Sequence, residues 1–511
     1  MDFKLSRESV SVNEVIYDGV SEQSVEVDYI LPDYYPDIFK ILKCSLTPMV
    51  VSYNSSGNKL NYDVAVQIKV LYVSQQDNCI KCIDQKYTYS KTVDLNGDCE
   101  NAAVMIQPKV DYCNCRAVNE RRLDIRAAVS CKITVKKTNY TEMVNNAEGM
   151  GIQLQKNSMK CIGESVNKNK QFVVREDVEV GASKPAIESI LRQNAVPTET
   201  EYKVIANKVI VKSKIKLSAL YSSGDNLEET ETLIPVSQIV DFAGISEEYQ
   251  CIMNIRVQLC ELTPIKGSDG ESHSMSCEMI IGIDCAAYKE SEISLITDIY
   301  STLYECESEI KPIKLEMMPQ CAEKDFTVKS QIESGEEISS VKSAWTSIND
   351  ISTRINENNE LMIYGTLNVS VLANDADNNA LMLDKSEVFE HTIPFDILSS
   401  NAVVSIEAMI LSTSYTMQSG KQVDVSSDVY VKICVNNTME LKAAYNITVD
   451  DSKAKENDNT YALKVYYADP GESVWKIAKK YNTSINAILN ENDIEDEVIS
   501  ERKMLLIPIT E

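Results

Sequence analysis

The sequence predicts a mainly β protein: three tandem β-sandwich-like or barrel-like repeats with short helices, followed by a small βααβ domain. Three observations lead to this fold class. Apolar and polar residues alternate along many segments, as in Val64, Val66, Ile68 and Val70, which is typical of half-buried antiparallel strands. One pattern recurs along the chain at a nearly constant offset. The end of the chain instead carries apolar residues at helical spacing.

The recurrence is visible in two separated segments that share one offset. Residues 36–42 align with 185–191, and residues 59–74 align with 208–223, each pair 149 positions apart and without a gap. The apolar pattern returns a third time, 152 positions further on, from Leu361 to Leu372. Recurrence on this scale indicates three copies of one structural unit.

The alignment also predicts where helices and domain boundaries lie. Pro36 and Pro185 suit a first helical turn and precede apolar residues at helical spacing, so we expect a short helix there, with residues 341–345 as the counterpart in the third copy. The polar residues at 450–460 predict a flexible linker that lets the last domain move relative to the repeats. The expected domains are repeats at 1–165, 166–310 and 311–449, a linker at 450–460 and a terminal domain at 461–511.

The terminal domain has the clearest local pattern. A strand-like run ends at the turn Pro470-Gly471, and Ser473 then suits the N-cap of a helix. Two short helices and a closing strand at 504–508 give the order βααβ. The apolar positions that define the two helices are Val474, Ile477, Ala478, Tyr481, Ile485, Ile488 and Leu489, followed by Asn492.

Residues 461–509 resemble the LysM module. The matching residues are Gly471, Trp475, Ile477, Ala478, Asn492, Ile507 and Pro508, with Glu472 and Ser473 as conservative replacements. LysM modules as a class bind N-acetylglucosamine polymers between the loops that correspond here to 469–473 and 492–497. The second loop is crowded with carboxylates, and residues 500–503 replace the usual Pro-Gly-Gln. We therefore expect a protein ligand rather than a glycan.

Composition restricts the class of partner. The chain has 511 residues, of which 44% are hydrophobic and 25% charged, as expected of a globular protein. Its net charge of −27 argues against nucleic acid or an anionic membrane as the main partner.

The first residues show no signal peptide and no apolar run predicts a transmembrane segment, so we expect the protein to stay where it is made. The 15 cysteines are then expected to be mostly buried, reduced thiols.

Three β repeats followed by a LysM module resemble the SipL family of spore-coat morphogenetic proteins, whose repeats are of the SPOCS type. The resemblance implies a cytoplasmic protein on the mother-cell side of the forespore surface. It also implies binding to stage IV sporulation protein A, the ATPase of the coat basal layer. Contacts with other coat morphogenetic proteins and self-association are compatible with this architecture.

The candidate partner-binding residues lie in the terminal domain. Trp475 stands one position off the apolar stripe, so it is either structural or a contact residue. Lys476, Lys479 and Lys480 form a basic patch on an acidic chain, which is either a solvated face or a docking surface. The predicted set is Gly471, Glu472, Ser473, Trp475, Lys476, Lys479, Lys480 and Asn492.

No catalytic constellation is predicted. The sequence lacks a Gly-x-Ser-x-Gly motif and a phosphate-binding loop, and its two histidines, His273 and His391, are far apart. The cysteines at 79–82 and 113–115 are compatible either with a zinc site or with ordinary packed thiols, and only the first pair has the spacing of a zinc knuckle. We predict no enzyme activity, metal or cofactor. The alternatives are a peptidoglycan-binding wall protein and a LysM-targeted wall hydrolase.

Overall fold

The computed structural model describes the following residues: 3–100, 102–181, 183–358, 360–395, 402–455 and 463–508. The strands of repeat 1 are β1 (Lys4–Ile30), β2 (Ile38–Ser56), β3 (Lys59–Ser74), β4 (Ile80–Asp94), β5 (Ala103–Asn119) and β6 (Arg122–Glu148). Those of repeat 2 are β7 (Ile152–Glu179), β8 (Ser189–Ile205), β9 (Lys208–Ser223), β10 (Asn226–Asp241), β11 (Gln250–Ile265) and β12 (Ser274–Ser301).

Repeat 3 has the same order, with its two long strands each divided in two. Its strands are β13 (Tyr304–Glu316), β14 (Gln320–Glu333), β15 (Ile338–Ile355), β16 (Leu361–Asp375), β17 (Ala380–Ile393), β18 (Val403–Ser419), β19 (Gln422–Asn436) and β20 (Thr438–Ala454). The terminal domain contains β21 (Leu463–Ala468), α1 (Val474–Lys480), α2 (Ile485–Glu491) and β22 (Lys503–Pro508). Neither helix in the described part of the chain is long and apolar enough to cross a membrane.

Each repeat contains two antiparallel three-stranded sheets. In repeat 1 these are β1-β6-β5 and β2-β3-β4, in repeat 2 β7-β12-β11 and β8-β9-β10, and in repeat 3 β14-β19-β18 and β15-β16-β17. The segments that align in the sequence are the middle strands β3, β9 and β16. The mainly β fold class is therefore confirmed, and the third copy has the same strand order as the first two.

The core of each repeat lies between its two sheets. In repeat 1, Val64 and Ile68 from β3 are 1% exposed and belong to one buried cluster with Ile125 and Val129 from β6. The inward residues are two positions apart because successive strand side chains point to opposite faces. The alternating pattern thus places one apolar face of each sheet in the core.

The helices expected at the start of each repeat are wrong. Residues 38–42 and 189–191 lie in β2 and β8, and residues 341–345 lie in β15. The strand register shifts between Ile38 and Lys40 and again between Ile41 and Lys43, with similar shifts in β8 and β15. A bulge adds one residue between inward-facing positions, so apolar residues fall three or four apart and imitate helical spacing.

The three repeats close into a ring, since each one contacts both others. Lys81 forms an ion pair with Glu188 at 3.1 Å, which joins repeats 1 and 2. Arg192 lies 5.1 Å from the ring centre of Trp345, which joins repeats 2 and 3, and Lys43 pairs with an aspartate of repeat 3. At the centre, one apolar cluster is formed by Leu42, Leu71, Val73, Ile80, Leu191, Leu220 and Leu372.

The long strands extend beyond the sandwiches as three β ribbons, formed by β1 with β6, β7 with β12, and β13 with β20. We call the apolar core where they meet the ribbon hub. It contains two neighbouring clusters, each with residues from all three repeats. Its buried members are Val10, Met143, Val144, Ala147, Cys161, Ile293, Leu295, Ile296, Ile299, Ile313, Leu315, Leu441, Ala443, Ala444 and Ile447.

Two further expectations can be located on this fold. The expected boundaries at 165 and 310 fall inside β7 and β13, and β20 includes the first residues of the expected linker, while residues 456–460 lie outside the described part. Thirteen cysteines are free, as expected, but Cys321 and Cys434 form a disulfide between directly paired positions of β14 and β19.

Candidate functional site

The terminal domain folds around its own small core, as its sequence pattern predicts. Strands β21 and β22 pair antiparallel, and the two helices pack on one face of this two-stranded sheet. Ser484 caps α2 by accepting a hydrogen bond from the backbone N–H of Ala487 at 3.1 Å, whereas the Ser473 side chain makes no such bond to α1. The buried core residues are Ala468, Val474, Trp475, Ile477, Ala478, Ile488, Ile499, Leu505 and Ile507.

Trp475 is buried between this domain and the ribbon hub. Its side chain is 3% exposed, and its ring meets that of Tyr300 edge-on with 4.9 Å between ring centres. The indole N–H donates to Oδ2 of Asp298 at 2.8 Å. Edge-to-face pairing and a satisfied indole N–H both stabilise a buried tryptophan. Trp475 therefore fixes the terminal domain against β12 in this structure.

Asp298 also accepts a bond from a second predicted residue. Nζ of Lys479 lies 2.6 Å from its Oδ1, and the two side chains are 43% and 29% exposed. Partial burial acts to raise the pKa of Asp298, but the bonds from Lys479 and Trp475 outweigh it and hold that pKa below its usual range. The carboxylate is thus kept ionised between an ammonium and an indole N–H.

Two more bonds extend this contact. The Tyr300 hydroxyl donates to the carbonyl of Thr483 at 2.7 Å, and burial raises the pKa of that phenol. Lys455, at the end of the repeats, donates to the carbonyl of Ser301 at 2.8 Å and to Oδ1 of Asn482 at 3.0 Å. The domain is held by apolar contact and by polar bonds from two separate parts of the repeats.

Three other predicted residues support the local fold. The carboxylate of Glu472 accepts from the Tyr466 hydroxyl at 3.0 Å and from the backbone N–H of Asp469 at 3.1 Å. The Asn492 amide bonds to both the N–H and the carbonyl of Leu506, each at 2.7 Å, which ties the end of α2 to β22. Gly471 has a φ of +88°, a turn conformation that favours glycine.

The remaining predicted residues differ in their surroundings. The ammonium of Lys480 lies 5.3 Å from the ring centre of Tyr466 and 5.5 Å from that of Tyr481, close enough for cation–π attraction. Lys476 is exposed, and Ser473 is half-buried in an isolated β-bridge with Val498. Of the three lysines in the basic patch, only Lys479 bonds to the repeats through an ion pair that the structure records.

Backbone bonds beside the two loops expected to form a ligand groove join residues 471–474 to residues 497–499. Backbone N–H groups of Gly471 and Val474 donate to the carbonyls of Ile499 and Glu497 at 2.7 and 2.8 Å, and Ile499 N–H donates back to Glu472 at 2.9 Å. These backbone groups bond within the domain. A glycan that relies on the same groups would have to compete with these bonds.

The outer face of the β21–β22 sheet was missed by the sequence reasoning. Four large apolar side chains point away from the helices and are between 41% and 66% exposed: Leu463, Val465, Tyr467 and Met504. The run Met504-Leu505-Leu506-Ile507 has apolar residues on both faces of one strand, and this signal was available in the sequence. Exposed apolar patches of this kind mark interaction surfaces.

The histidines and cysteines that are candidates for catalysis or metal binding do not form a common site. His391 stacks on Phe326 with 4.7 Å between ring centres, and His273 lies 3.3 Å from Glu271 in an exposed loop. The cysteines of the candidate zinc site have different surroundings: Cys79 contacts Asp225 at 3.3 Å, whereas Cys113 contacts Cys44. In the described part of the chain, one exposed group, Asp269 with Glu271 and His273, has the spacing of metal ligands.

Comparison with protein families agrees with this architecture. A model described as the SipL SPOCS domain matches residues 37–118 and 186–265, which lie in repeats 1 and 2, and a LysM domain model matches residues 466–508. The chain is thus a multidomain protein of SPOCS and LysM modules. More particularly, its architecture is of the SipL type, which fits a sporulation protein associated with the spore coat. No curated protein and no solved structure matches the chain.

Proposed function

We propose that this chain is a non-enzymatic adaptor of spore-coat morphogenesis, located on the mother-cell side of the forespore surface. In this proposal, the LysM domain binds stage IV sporulation protein A, the ATPase of the coat basal layer. SPOCS and LysM modules are non-catalytic families, which supports an adaptor rather than an enzyme. The observation that carries the proposal is that the LysM domain is docked on the hub yet still presents exposed apolar and basic groups.

The partner surface is assigned to two exposed parts of the domain, one on α1 and one on the outer sheet face, that do not bond to the repeats in the described part of the chain. Lys476 and Lys480 are exposed, and Val465 and Tyr467 lie on the outer sheet face with 55% and 66% exposure. Exposed aromatic residues are frequent anchors of protein interfaces, and exposed cations speed association with an acidic partner. Trp475 and Lys479 already bond to Asp298, and the buried Trp475 reaches a partner only when the domain leaves the hub.

A protein ligand is favoured over peptidoglycan by the two loops. Backbone bonds join residues 471–474 to 497–499 beside these loops, and the second loop carries Asp493, Glu495, Asp496 and Glu497. A neutral glycan gains nothing from dense negative charge, and it would have to compete with these backbone bonds. Peptidoglycan binding remains the alternative function, and it makes the opposite prediction in a pulldown with insoluble cell wall.

The ring of repeats supplies the rigid part of the adaptor. Apolar contacts at its centre and in the ribbon hub hold three repeats in one body, so further coat proteins or a second copy of the chain can bind at a fixed distance from the LysM domain. Two modest contacts on one rigid body raise the effective concentration of each partner for the other. This arrangement suits assembly of a shell.

The experiment is co-purification of the full chain with the ATPase. The variants Lys476→Glu with Lys480→Glu, and Tyr467→Lys alone, should each weaken binding at least tenfold. Lys86→Glu, an exposed charge reversal in repeat 1, is the matched control and should bind normally. Normal binding by both LysM variants, and by a chain that ends at Lys455, would contradict the proposal. Retention on insoluble peptidoglycan would favour the alternative.

A further inference from the structure

Each repeat has a seam where its two sheets approach along edge strands: β2 with β5, β8 with β11, and β15 with β18. These strands belong to different sheets, so no backbone ladder joins them. Side chains cross the seam instead. In repeat 2 the amide of Gln193 donates to the carbonyl of Cys260 at 2.9 Å, and in repeat 3 the hydroxyls of Thr346 and Thr413 lie 2.9 Å apart.

In repeat 1 two thiols cross the same stretch of the seam. Sγ of Cys44 lies 3.5 Å from Sγ of Cys113. Cys44 aligns with Gln193 at the repeat offset of 149, and Cys113 and Thr413 lie at equivalent positions of β5 and β18. The second partner of each hydrogen bond, Cys260 in repeat 2 and Thr346 in repeat 3, lies one to three positions from the equivalent of the other thiol. The thiol pair therefore lies in the same stretch of the seam as the hydrogen bonds of the other repeats, and of these three contacts only the thiol pair can become covalent.

The two thiols differ in accessibility. Cys113 is the one exposed residue among the 13 free cysteines, while Cys44 is half-buried. The hydrogen bond with Cys44 lowers the pKa of Cys113 despite partial burial, and Lys43 nearby lowers it further. An exposed thiol with a lowered pKa is the one that reacts first, because the thiolate is the nucleophile.

We propose that Cys44 and Cys113 form a redox-active pair that closes into a disulfide and joins the two sheets of repeat 1. The co-reactant is a low-molecular-weight disulfide. The Cys113 thiolate attacks one of its sulfurs and releases one thiolate, and the Cys44 thiolate then attacks the Cys113 sulfur and displaces the second. Two protons leave the cysteines, and two electrons pass to the co-reactant, which ends as two thiols.

The geometry favours this pair over a metal site and over a neighbouring thiol. Cys115 also contacts Cys44, but it is less exposed than Cys113. The three sulfurs are not among the described groups with metal-ligand spacing, so a shared ion is not indicated. A Cys44–Cys113 bond links positions 69 residues apart. A link of that span restricts the unfolded chain and stabilises the closed seam.

The test uses the full chain, equilibrated with oxidised glutathione and mapped by mass spectrometry without reduction. We expect a Cys44–Cys113 link that dithiothreitol reverses, with the Cys321–Cys434 link as internal reference and a higher unfolding temperature than the reduced chain. In Cys44→Ser, Cys113 should instead keep one glutathione, and Cys115→Ser should leave the link unchanged. A Cys44–Cys115 link, or free Cys113 under full oxidation, would overturn the proposal.

Discussion

The indole N–H of Trp475 donates to the carboxylate of Asp298 at 2.8 Å, across 177 positions of sequence. Asp298 stands where β12 shifts register against β7, between Ile296 and Asp298. A bulge re-aims the side chain beside it, and here the carboxylate points away from the ribbon and toward α1. One irregularity in a long strand thus provides one of the anchors of the LysM domain.

Replacing Asp298 by alanine should weaken the docking of the LysM domain on the hub. The change leaves the Trp475 N–H without its partner and removes the ion pair with Lys479. We expect docking to weaken by about 1 kcal/mol, less than the roughly 1.5–3 kcal/mol typical of a charged hydrogen bond, because the carboxylate is 29% exposed. Hydrogen exchange in α1 should accelerate. Asp469→Ala, which removes an exposed pair with Arg502, is the control; equal exchange in both variants would contradict the prediction.

The same carboxylate should make docking sensitive to acid. The pKa of Asp298 lies below its ordinary value of 3.8 in the folded chain, so its ionised form contributes stability above that value and loses it as the pH falls through the lowered pKa. We expect Trp475 exposure to increase in this range. Because many other carboxylates titrate there, the measurement is the difference in indole quenching between the wild type and Asp298→Asn, which should converge at low pH. Parallel curves at all pH values would argue against the assignment.

Local patterns determined what could be predicted from the sequence. The alternation of apolar and polar residues predicts the strands, and the 149-residue offset predicts the repeats. Apolar residues at helical spacing predict α1 and α2. The same reasoning predicts a helix at 38–42, where the structure has a strand, because bulges give this strand the residue spacing of a helix. The contacts of Trp475 with Asp298 and Tyr300 could not be predicted, since no local sequence pattern connects these residues. The predicted partner-binding set stays a prediction, although the structure separates the docked residues Trp475 and Lys479 from the exposed Lys476.

The centre of the ring should be sensitive to cavity formation. Leu71, Leu220 and Leu372 occupy the same position in β3, β9 and β16 and meet in one buried cluster. Leu372 is 0% exposed, so Leu372→Ala should destabilise the chain by about 2–5 kcal/mol through lost burial and a residual cavity. Thermal unfolding measures the effect. Val388→Ala, at a side chain that is 72% exposed, should change the free energy of unfolding little. Similar losses of stability in both variants would contradict the prediction that the buried cluster is especially important for stability.

A glycine in repeat 3 makes room for an aromatic ring, and filling that space should be costly. Gly365 in β16 pairs directly with Phe389 in β17, and a Cβ at Gly365 would overlap the Phe389 ring. The ring has little freedom to move, because Phe389 is 6% exposed and its centre lies 5.5 Å from that of Phe326. Gly365→Ala should therefore destabilise repeat 3 by about 1–3 kcal/mol, the usual cost of overpacking. Gly335 has no atom within 4 Å of its Cβ position, so Gly335→Ala is the matched control. Unfolding temperatures of the two variants decide the matter: a lower value for Gly365→Ala alone supports the packing argument, and equal values refute it.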